Sequence, residues 1–571
     1  MQMRLIVVGG VAGGATAATR ARRLSEEAEI ILFERGFYVS YASCGLPYYI
    51  GGEIEKRDDL FIASPARLRD RYRIDVRTAQ EVIEIDRTKK EVTVKDHKTG
   101  AMFKERYDKL ILSPGAKPIK PPLPGINLDR IFTLRDLPDS DSIKNYMAQN
   151  KVTSAVILGG GPIGLESAEN LRRQGVAVTI IEKQDQVMPP LDYEMAAVIH
   201  QHLRNQGVNL HLGDGAHCFR EKGTRIVVTT EKGLDIEADM ALLAIGVRPE
   251  KGLAEKAGLA IGKMGGIVVD EMLRTSDPDI YAIGDAIEVR GFVSGESRLV
   301  PLAGPANRQG RIAADNVMGR KSVFGKVLGT NITRVFKMVA ASTGDKEAVL
   351  KRMGQPYLVS FTHSYHHATY YPGAKLTRIK LIFSPNNGKL LGAQLVGEEG
   401  VDKRVDVLAT AIRAGMTVYD LEELELAYAP PFGSAKDAIN IAGFVAANIL
   451  DGDVQVVHWD TLGELDKEKY ILLDVRTLKE VRKTGKIMDN ALHIHVDELR
   501  HRLGELDRNK IYIAYCTVSL RAYIAYRILV QNGFKVAILS GGLETWRAPH
   551  EEMAVRLRNF SPQDSSMTET D

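Results

Sequence analysis

Residues 8–14, VGGVAGG, follow a short apolar run, LIVV at 5–8, and lead into a stretch rich in Ala and Thr. Residues 157–164, ILGGGPIG, repeat the arrangement further along the chain. Both read as strand, glycine turn, helix and next strand, from Arg4 to Glu34 and from Val152 to Glu182. Strands alternating with helical segments make βαβ units and a parallel sheet. A glycine turn ahead of a helix lets backbone N–H groups approach a pyrophosphate at the positive end of the helix dipole. The second turn is a full G-x-G-x-x-G on Gly159, Gly161 and Gly164. In the first, on Gly9, Gly10, Ala12, Gly13 and Gly14, Val11 stands where the second glycine is usual, a weak match alone. An acid ends each following strand: Glu34, with Arg35 beside it, and Glu182. A carboxylate there accepts from ribose hydroxyls. Glu182 favours the free 2′-hydroxyl of NADH; the adjacent Lys183 softens that preference and leaves NADPH open.

The chain's 571 residues predict three to five domains, at roughly 100–200 residues each. Charged content of 26% with a net charge of +3 provides no basic stripe, so no nucleic-acid partner is expected. Three cysteines, Cys44, Cys218 and Cys516, are too few for a disulfide framework and their spacing fits no zinc site. A reducing cytosol and no metal are therefore expected. The longer apolar stretches are broken by charge or glycine, so neither a signal segment nor a membrane partner is expected.

A distant segment strengthens the first turn. Residues 275–286, TSDPDIYAIGDA, with Gly284 and Asp285, resemble the second flavin motif of the two-dinucleotide-domain flavoproteins. Residues 111–116, ILSPGA, with Ser113, Pro114 and Gly115, and residues 243–249, LAIGVRP, with Gly246, resemble the short connecting motifs of that superfamily. The resemblance implies FAD at the first turn and NAD(P)H at the second, with Pro301, Leu302 and Ala303 as further flavin contacts.

Cys44 lies in SYASCGLPYYIGG, residues 40–52, with no second cysteine near enough for a local disulfide. A lone cysteine beside a flavin has two oxidised states, a mixed disulfide or persulfide and a sulfenic acid. This string, residues 9–14, YYPGA at 370–374 and YAPPF at 428–432 resemble the coenzyme A-disulfide reductase family over residues 1–450. With the C-terminal part, the chain resembles the coenzyme A-disulfide reductase–rhodanese fusions, also called NAD(P)H-dependent polysulfide or CoA-persulfide reductases, of the pyridine nucleotide-disulfide oxidoreductase superfamily. The resemblance implies that Cys44 is the redox nucleophile and that coenzyme A lies along the first helix. Thr16, Arg20, Arg23, Ser40, Ser43 and Asn307 match its contacts, although the family often has Asn where Ser43 stands. Arg20 and Arg23, three apart, share a helix face suited to phosphates. Tyr370 and Tyr428 match a pair that reaches the active site from a partner subunit, which implies a homodimer.

Residues 515–521, YCTVSLR, resemble the rhodanese active loop, with Cys516 as sulfur carrier and Arg521 closing the loop around its charge. Asp474 and Arg476 match that fold's early Asp-x-Arg, while residues 485–491 match poorly. Cys218 has no motif around it and reads as structural. The expected fold class is α/β. FAD-binding parts occupy 1–150 and 271–325 around an NAD(P)H-binding domain at 151–270. An α+β dimerisation domain at 326–452, a rhodanese-like domain at 453–556 and a disordered tail at 557–571 follow. The expected activity is NAD(P)H-dependent reduction of polysulfide or CoA persulfide, with CoA-disulfide reduction, or NADH oxidase or peroxidase chemistry through a Cys44 sulfenic acid, as alternatives. A sulfur carrier or redox sensor is the reading from outside enzymology; Cys516 with Arg521 favours the first activity, since an oxidase has no use for them.

Overall fold

Leu5, Ile6 and Val7 are wholly buried, as a central parallel strand covered on both faces requires. Their strand, Arg4–Val8, pairs with Glu29–Glu34 on one side and Lys109–Leu112 on the other. The computed structural model describes residues 2–466 and 468–560; these fall into two units, residues 1–185 with 207–329, and residues 186–206 with 330–571.

In the first unit, one five-stranded parallel sheet runs in the order Ile280–Ala282, Lys109–Leu112, Arg4–Val8, Glu29–Glu34, Asp75–Thr78. The second runs Asn209–Leu212, Ala177–Glu182, Ser154–Leu158, Met240–Leu243, Ile131–Thr133. Ile131–Thr133 pairs in parallel with Met240–Leu243, so the second sheet takes its edge strand from within 1–150, the stretch assigned above to the first dinucleotide domain. Helix Ala12–Leu24 packs along helix Ala303–Val317. A Cβ on Gly310 would come within 2.4 Å of the Gly13 carbonyl oxygen, so a glycine is needed for the helices to approach this closely.

The second unit holds a five-stranded antiparallel sheet, Asn331–Val335, Met338–Gly344, Leu390–Gly397, Leu376–Phe383, Leu358–Tyr365 in spatial order. It also holds a five-stranded parallel sheet ordered Val456–Val457, Lys535–Leu539, Ile511–Tyr515, Tyr470–Asp474, Leu492–His493. Helix Tyr193–Asn205, inside the expected 151–270 domain, belongs to this unit. One reason is ionic: buried Lys380 bonds Asp192 at 2.8 Å and also Glu194 and Glu347. Burial alone would depress the Lys380 ammonium, but the three carboxylates outweigh it and raise its pKa. Those acids are close enough to hold a cation, and the ammonium already provides one. Helix Gly542–Phe560 continues past the expected start of the tail at 557; residues 561–571 lie outside the described residues. Among the described residues, no helix is long and apolar enough to cross a membrane.

Candidate active sites

The two glycine turns are built alike, from their backbones outward. Gly9 sits at φ +96° and Gly159 at φ +106°, a region that side chains other than hydrogen rarely enter. A Cβ on Gly9 would lie 2.0 Å from the Ser113 carbonyl oxygen, and one on Gly159 2.3 Å from that of Ala244. The connecting motifs therefore press against the turns they were expected to serve. Gly14 and Gly164 close each turn, since a Cβ on either would strike the Gly9 or Gly159 carbonyl at 1.8 or 2.1 Å. Glu34 accepts the Gly10 N–H at 2.8 Å and the Gly36 N–H at 2.8 Å. Its counterpart Glu182 accepts from Gly160 at 2.7 Å and from Gln184 at 2.8 Å. Each carboxylate thus splints its turn, and each oxygen keeps a second lone pair for a ribose hydroxyl.

The surroundings fit the two nucleotides. Nothing lies within 4 Å of a Cβ built on Gly161, so the space above the second turn is open to a phosphate. Gly115, Gly246 and Gly284 all take positive φ, and the Gly284 N–H donates to Gln309 at 2.7 Å. Burial raises the pKa of the neighbouring Asp285 and Arg135 opposes it. Arg135, which belongs to none of the motifs read above, donates to the Pro114 carbonyl at 3.4 Å. Arg35 instead pairs with Glu250 at 2.9 Å, and Lys183 with Glu231 at 2.8 Å. Pro301 and Leu302 immediately precede helix Ala303–Val317.

Cys44 is exposed on the 3-10 turn Ser43–Gly45, immediately ahead of helix Leu46–Ile50. Its setting raises the thiol pKa: partial burial contributes most, then the Glu166 carboxylate, the Ser43 hydroxyl opposes them, and Asp285 adds to the rise. Glu166 is a second residue absent from the sequence prediction; it follows Gly164 by two positions and accepts the Tyr48 hydroxyl at 3.3 Å. Ser40 holds φ +48°, its N–H donating to the Gly10 carbonyl at 2.8 Å and its carbonyl accepting from Ile62 at 2.8 Å.

The seam between helices Ala12–Leu24 and Ala303–Val317 collects the expected coenzyme A contacts unevenly. The Thr16 hydroxyl donates to Asn307 at 2.5 Å, so these two meet. Arg20 turns into the seam and pairs with Asp315 at 2.7 Å, its side chain 13% exposed, whereas Arg23 is exposed. The shared basic face is therefore divided, because Asp315 draws one arginine inward. The buried Arg22 between them donates to the carbonyls of Ser25, Glu26, Tyr72 and Arg73, tying down the helix end.

In the second unit, the hydroxyls of Tyr370 and Tyr428 stand 2.6 Å apart. The tyrosines are 73% and 48% exposed, and Phe432 and Tyr365 are exposed too.

Cys516 directly follows strand Ile511–Tyr515 and is buried. Its carbonyl and that of Thr517 accept from Leu543 and Glu544, at 2.9 and 3.0 Å, at the start of helix Gly542–Phe560. A Cβ on Gly542 would lie 2.5 Å from the Cys516 carbonyl oxygen, so this glycine lets helix and loop close. Ser519 takes φ +71° to turn the chain into helix Leu520–Gln531. Arg521, expected to wrap the loop, is also held by Glu480 through bonds of 2.7 and 2.5 Å. Buried Arg476 grips Asp474 at 2.9 and 2.6 Å, and Tyr515 donates to the same carboxylate at 2.9 Å. Removing one partner of such a buried pair costs about 3–5 kcal/mol, which supports a scaffolding role for Asp474 and Arg476. Cys218 lies part-buried on strand Ala216–Lys222.

Two glycine-turn nucleotide folds, a lone cysteine near them and an appended loop that holds a buried cysteine define a class, and comparison with known proteins agrees. Residues 3–310 match the pyridine nucleotide-disulphide oxidoreductase model, 331–438 its dimerisation domain and 460–549 the rhodanese-like domain. The chain belongs to the pyridine nucleotide-disulphide oxidoreductase family, with a rhodanese-like domain fused behind it. Among relatives, it is similar to the coenzyme A disulfide reductase of Staphylococcus haemolyticus strain JCSC1435, 36% identical over 78% of this chain and 100% of that protein. The structure of reduced CoADR-RHD from Bacillus anthracis matches with a TM-score of 0.94 at 47% identity, covering 97% of this chain and 99% of that one. An NAD-dependent persulfide reductase from A. fulgidus matches with a TM-score of 0.90 at 39% identity, covering 95% and 100%.

Proposed function

We propose that the protein is an FAD-dependent NAD(P)H oxidoreductase that reduces CoA persulfide or polysulfide to sulfide through Cys44, with sulfur delivered by Cys516. The observation that carries this reading is the pairing of an exposed lone thiol in the nucleotide-binding unit with a buried thiol on a rhodanese loop. The names of two similar structures, a CoADR-RHD and a persulfide reductase, support it.

When bound, the flavin and nicotinamide supply an electron pair from NAD(P)H to sulfur. The chain's own residues do the rest. Glu34 and Glu182 brace the turns that would hold the two nucleotides, with Asp285 and residues 113–115 along the flavin. Thr16 and Asn307, with exposed Arg23, offer contacts to coenzyme A; Arg20, Ser40 and Ser43 are retained as expected contacts. The Cys44 thiolate attacks the inner sulfur of CoA–S–S⁻, the sulfur–sulfur bond breaks, and sulfide leaves with the electron pair, taking up a proton. The resulting Cys44–CoA mixed disulfide is then cleaved by two electrons, so that CoA persulfide, NADH and a proton give CoA, hydrogen sulfide and NAD⁺. A tyrosine hydroxyl can donate to a departing thiolate; Tyr370 and Tyr428 are proposed for this role, reaching Cys44 of a partner in a homodimer. Their exposed aromatic patch, within a segment matching a dimerisation domain, supports that assembly. A cytoplasmic location fits three free cysteines.

Anaerobic NADH oxidation tests the reading, comparing CoA persulfide, polysulfide and CoA disulfide with sulfide recorded. Turnover with sulfide matching NADH consumed is expected for the first two. Turnover confined to CoA disulfide would transfer the protein to the second reading, which the Staphylococcus relative favours because its full length is matched by 78% of this chain. Turnover only in oxygen would mean an oxidase.

A further inference from the structure

Tyr370 and Tyr428 are 58 residues apart in sequence, yet their hydroxyls stand 2.6 Å apart. Both rings are exposed, so their own packing does little to fix them. Their position depends on the two loops that carry them. Tyr370 lies between strands Leu358–Tyr365 and Leu376–Phe383, and Tyr428 between helices Val418–Glu423 and Ala438–Leu450. The loops meet where the Ala368 N–H donates to the Gly433 carbonyl at 2.9 Å. They also meet through Arg404, on helix Val401–Ala414.

The Arg404 side chain is buried and its guanidinium uses four of its five N–H groups. Nε donates to Asp437 Oδ1 at 3.0 Å, and Nη2 to Asp437 Oδ2 at 2.6 Å and to the His366 carbonyl at 2.9 Å. Nη1 donates to the Gly400 carbonyl at 3.0 Å. Asp437 ends the Tyr428 loop and caps the next helix by accepting the Ile439 N–H at 3.0 Å. His366 opens the Tyr370 loop, and its ring accepts the Lys375 N–H at 2.9 Å from the far end of that loop. A Cβ on Gly400, at φ +70°, would lie 2.4 Å from Arg404 Nη1, so this glycine leaves room for the guanidinium. Lys403 comes no nearer than 4.0 Å to the same carboxylate.

A buried ion pair adds little net stability over apolar packing of the same volume, whereas a planar fork fixes directions that a single ammonium does not. We propose that Arg404 is a positioning residue for the tyrosine pair: through Asp437 and the His366 carbonyl it holds the two loops at the separation that brings the hydroxyls together. This rests on the reading of Tyr370 and Tyr428 as donors to a departing thiolate. In CoA-disulfide reduction, the Cys44 thiolate attacks one sulfur and the sulfur–sulfur bond breaks. CoA thiolate leaves with the electron pair, accepting a hydrogen bond from the tyrosine pair. That bond strengthens as charge develops on the leaving sulfur, so its loss lowers kcat and kcat/KM alike.

The test compares two backgrounds in the full-length holoprotein. Arg404→Lys keeps a positive charge beside Asp437 but cannot bridge it to His366. It should lower kcat for anaerobic CoA-disulfide reduction about fivefold, with kcat/KM falling equally. Placed in a Tyr370→Phe, Tyr428→Phe protein, the same substitution should lower kcat further by less than about twofold, because no hydroxyl is left to misplace. Asp437→Asn, whose side-chain oxygen still caps the helix, loosens the same fork from the other side and should repeat both results. It carries the comparison if the lysine variant does not fold. Flavin absorbance and its bleaching by NADH report that each variant is folded. A loss of the same size in both backgrounds, or no loss in either, overturns the positioning role alone. A double tyrosine variant as fast as wild type overturns the tyrosine reading and this inference with it.

Discussion

Cys44 stands exposed on a 3-10 turn with the carboxylates of Glu166 and Asp285 among its charged neighbours. Cys516 is buried at the end of a strand, beside an arginine already paired with Glu480. Thiol–disulfide exchange runs through the thiolate, and its rate follows the thiolate fraction and access. Cys44 has access but a raised pKa, because burial and the Glu166 carboxylate disfavour its thiolate. Cys516 has little access, with a cation within reach. The proposed division of work follows from this contrast. An open thiol is protected from casual oxidation until substrate and cofactors complete its site, and a closed one takes up sulfur only from a donor that fits its mouth.

The largest expected effect separates the two thiols outright. Cys44→Ser should lower NADH oxidation by about a thousandfold or more with every sulfur substrate, while cyanide-trapped transfer at Cys516 persists. Loss of both activities together would mean that the two sites do not work independently. Cys516→Ser probes the other side. It should reduce turnover with polysulfide about tenfold or more relative to CoA disulfide, measured anaerobically by NADH absorbance. Equal losses with both substrates would sink the relay.

Smaller again is the effect expected at the tyrosines. Tyr370→Phe and Tyr428→Phe each remove one hydroxyl from an exposed pair, and each should slow CoA-disulfide reduction roughly fivefold. The proposed partner-subunit role is checked by mixing a Cys44→Ser protomer with a Tyr428→Phe protomer. If each site draws its tyrosine from the partner, the heterodimer carries one site with cysteine and tyrosine both intact and one with both replaced, and its turnover should exceed that of the Tyr428→Phe homodimer. Turnover below that of the Tyr428→Phe homodimer would place the tyrosine and cysteine of each site on the same chain.

These residues were not equally legible. Glycine turns and the acids after them read directly, because a positive φ and a pyrophosphate approach demand glycine and a ribose demands an acceptor. The Cys516 loop read equally well, since its residues are contiguous. The place of Ile131–Thr133 at the edge of the second sheet was not legible, because three residues do not reveal their strand partner, which depends on contacts more than a hundred residues away. Helix Tyr193–Asn205 read as part of the second nucleotide domain for a similar reason: the partner that fixes it, Lys380, is distant in sequence. Arg20 matched a coenzyme A contact, yet its ion pair with Asp315 was invisible because helix periodicity reports only the helix's own face. Glu480 was legible in principle, as the fourth residue of the capping box T-x-x-E at 477–480, but the box explains a helix start and gives no hint of Arg521.

Glu166 marks where the contrast between the two thiols can be adjusted by a single charge. Its carboxylate stands second only to burial in raising the Cys44 thiol. Replacing it with Gln removes the charge and keeps an oxygen for the Tyr48 hydroxyl, so the burial contribution remains and the Coulombic one disappears. The thiol must then ionise at lower pH than in wild type. Iodoacetamide alkylation of the reduced protein, followed across pH with Cys516 and Cys218 replaced, should show the Cys44 profile displaced toward acid in Glu166→Gln. The same variant should react faster with peroxide at neutral pH, because more thiolate is exposed to it. A profile that stayed in place would mean that burial alone sets the thiol, and one that moved toward alkali would show that Glu166 favours the thiolate through a contact that outweighs its charge.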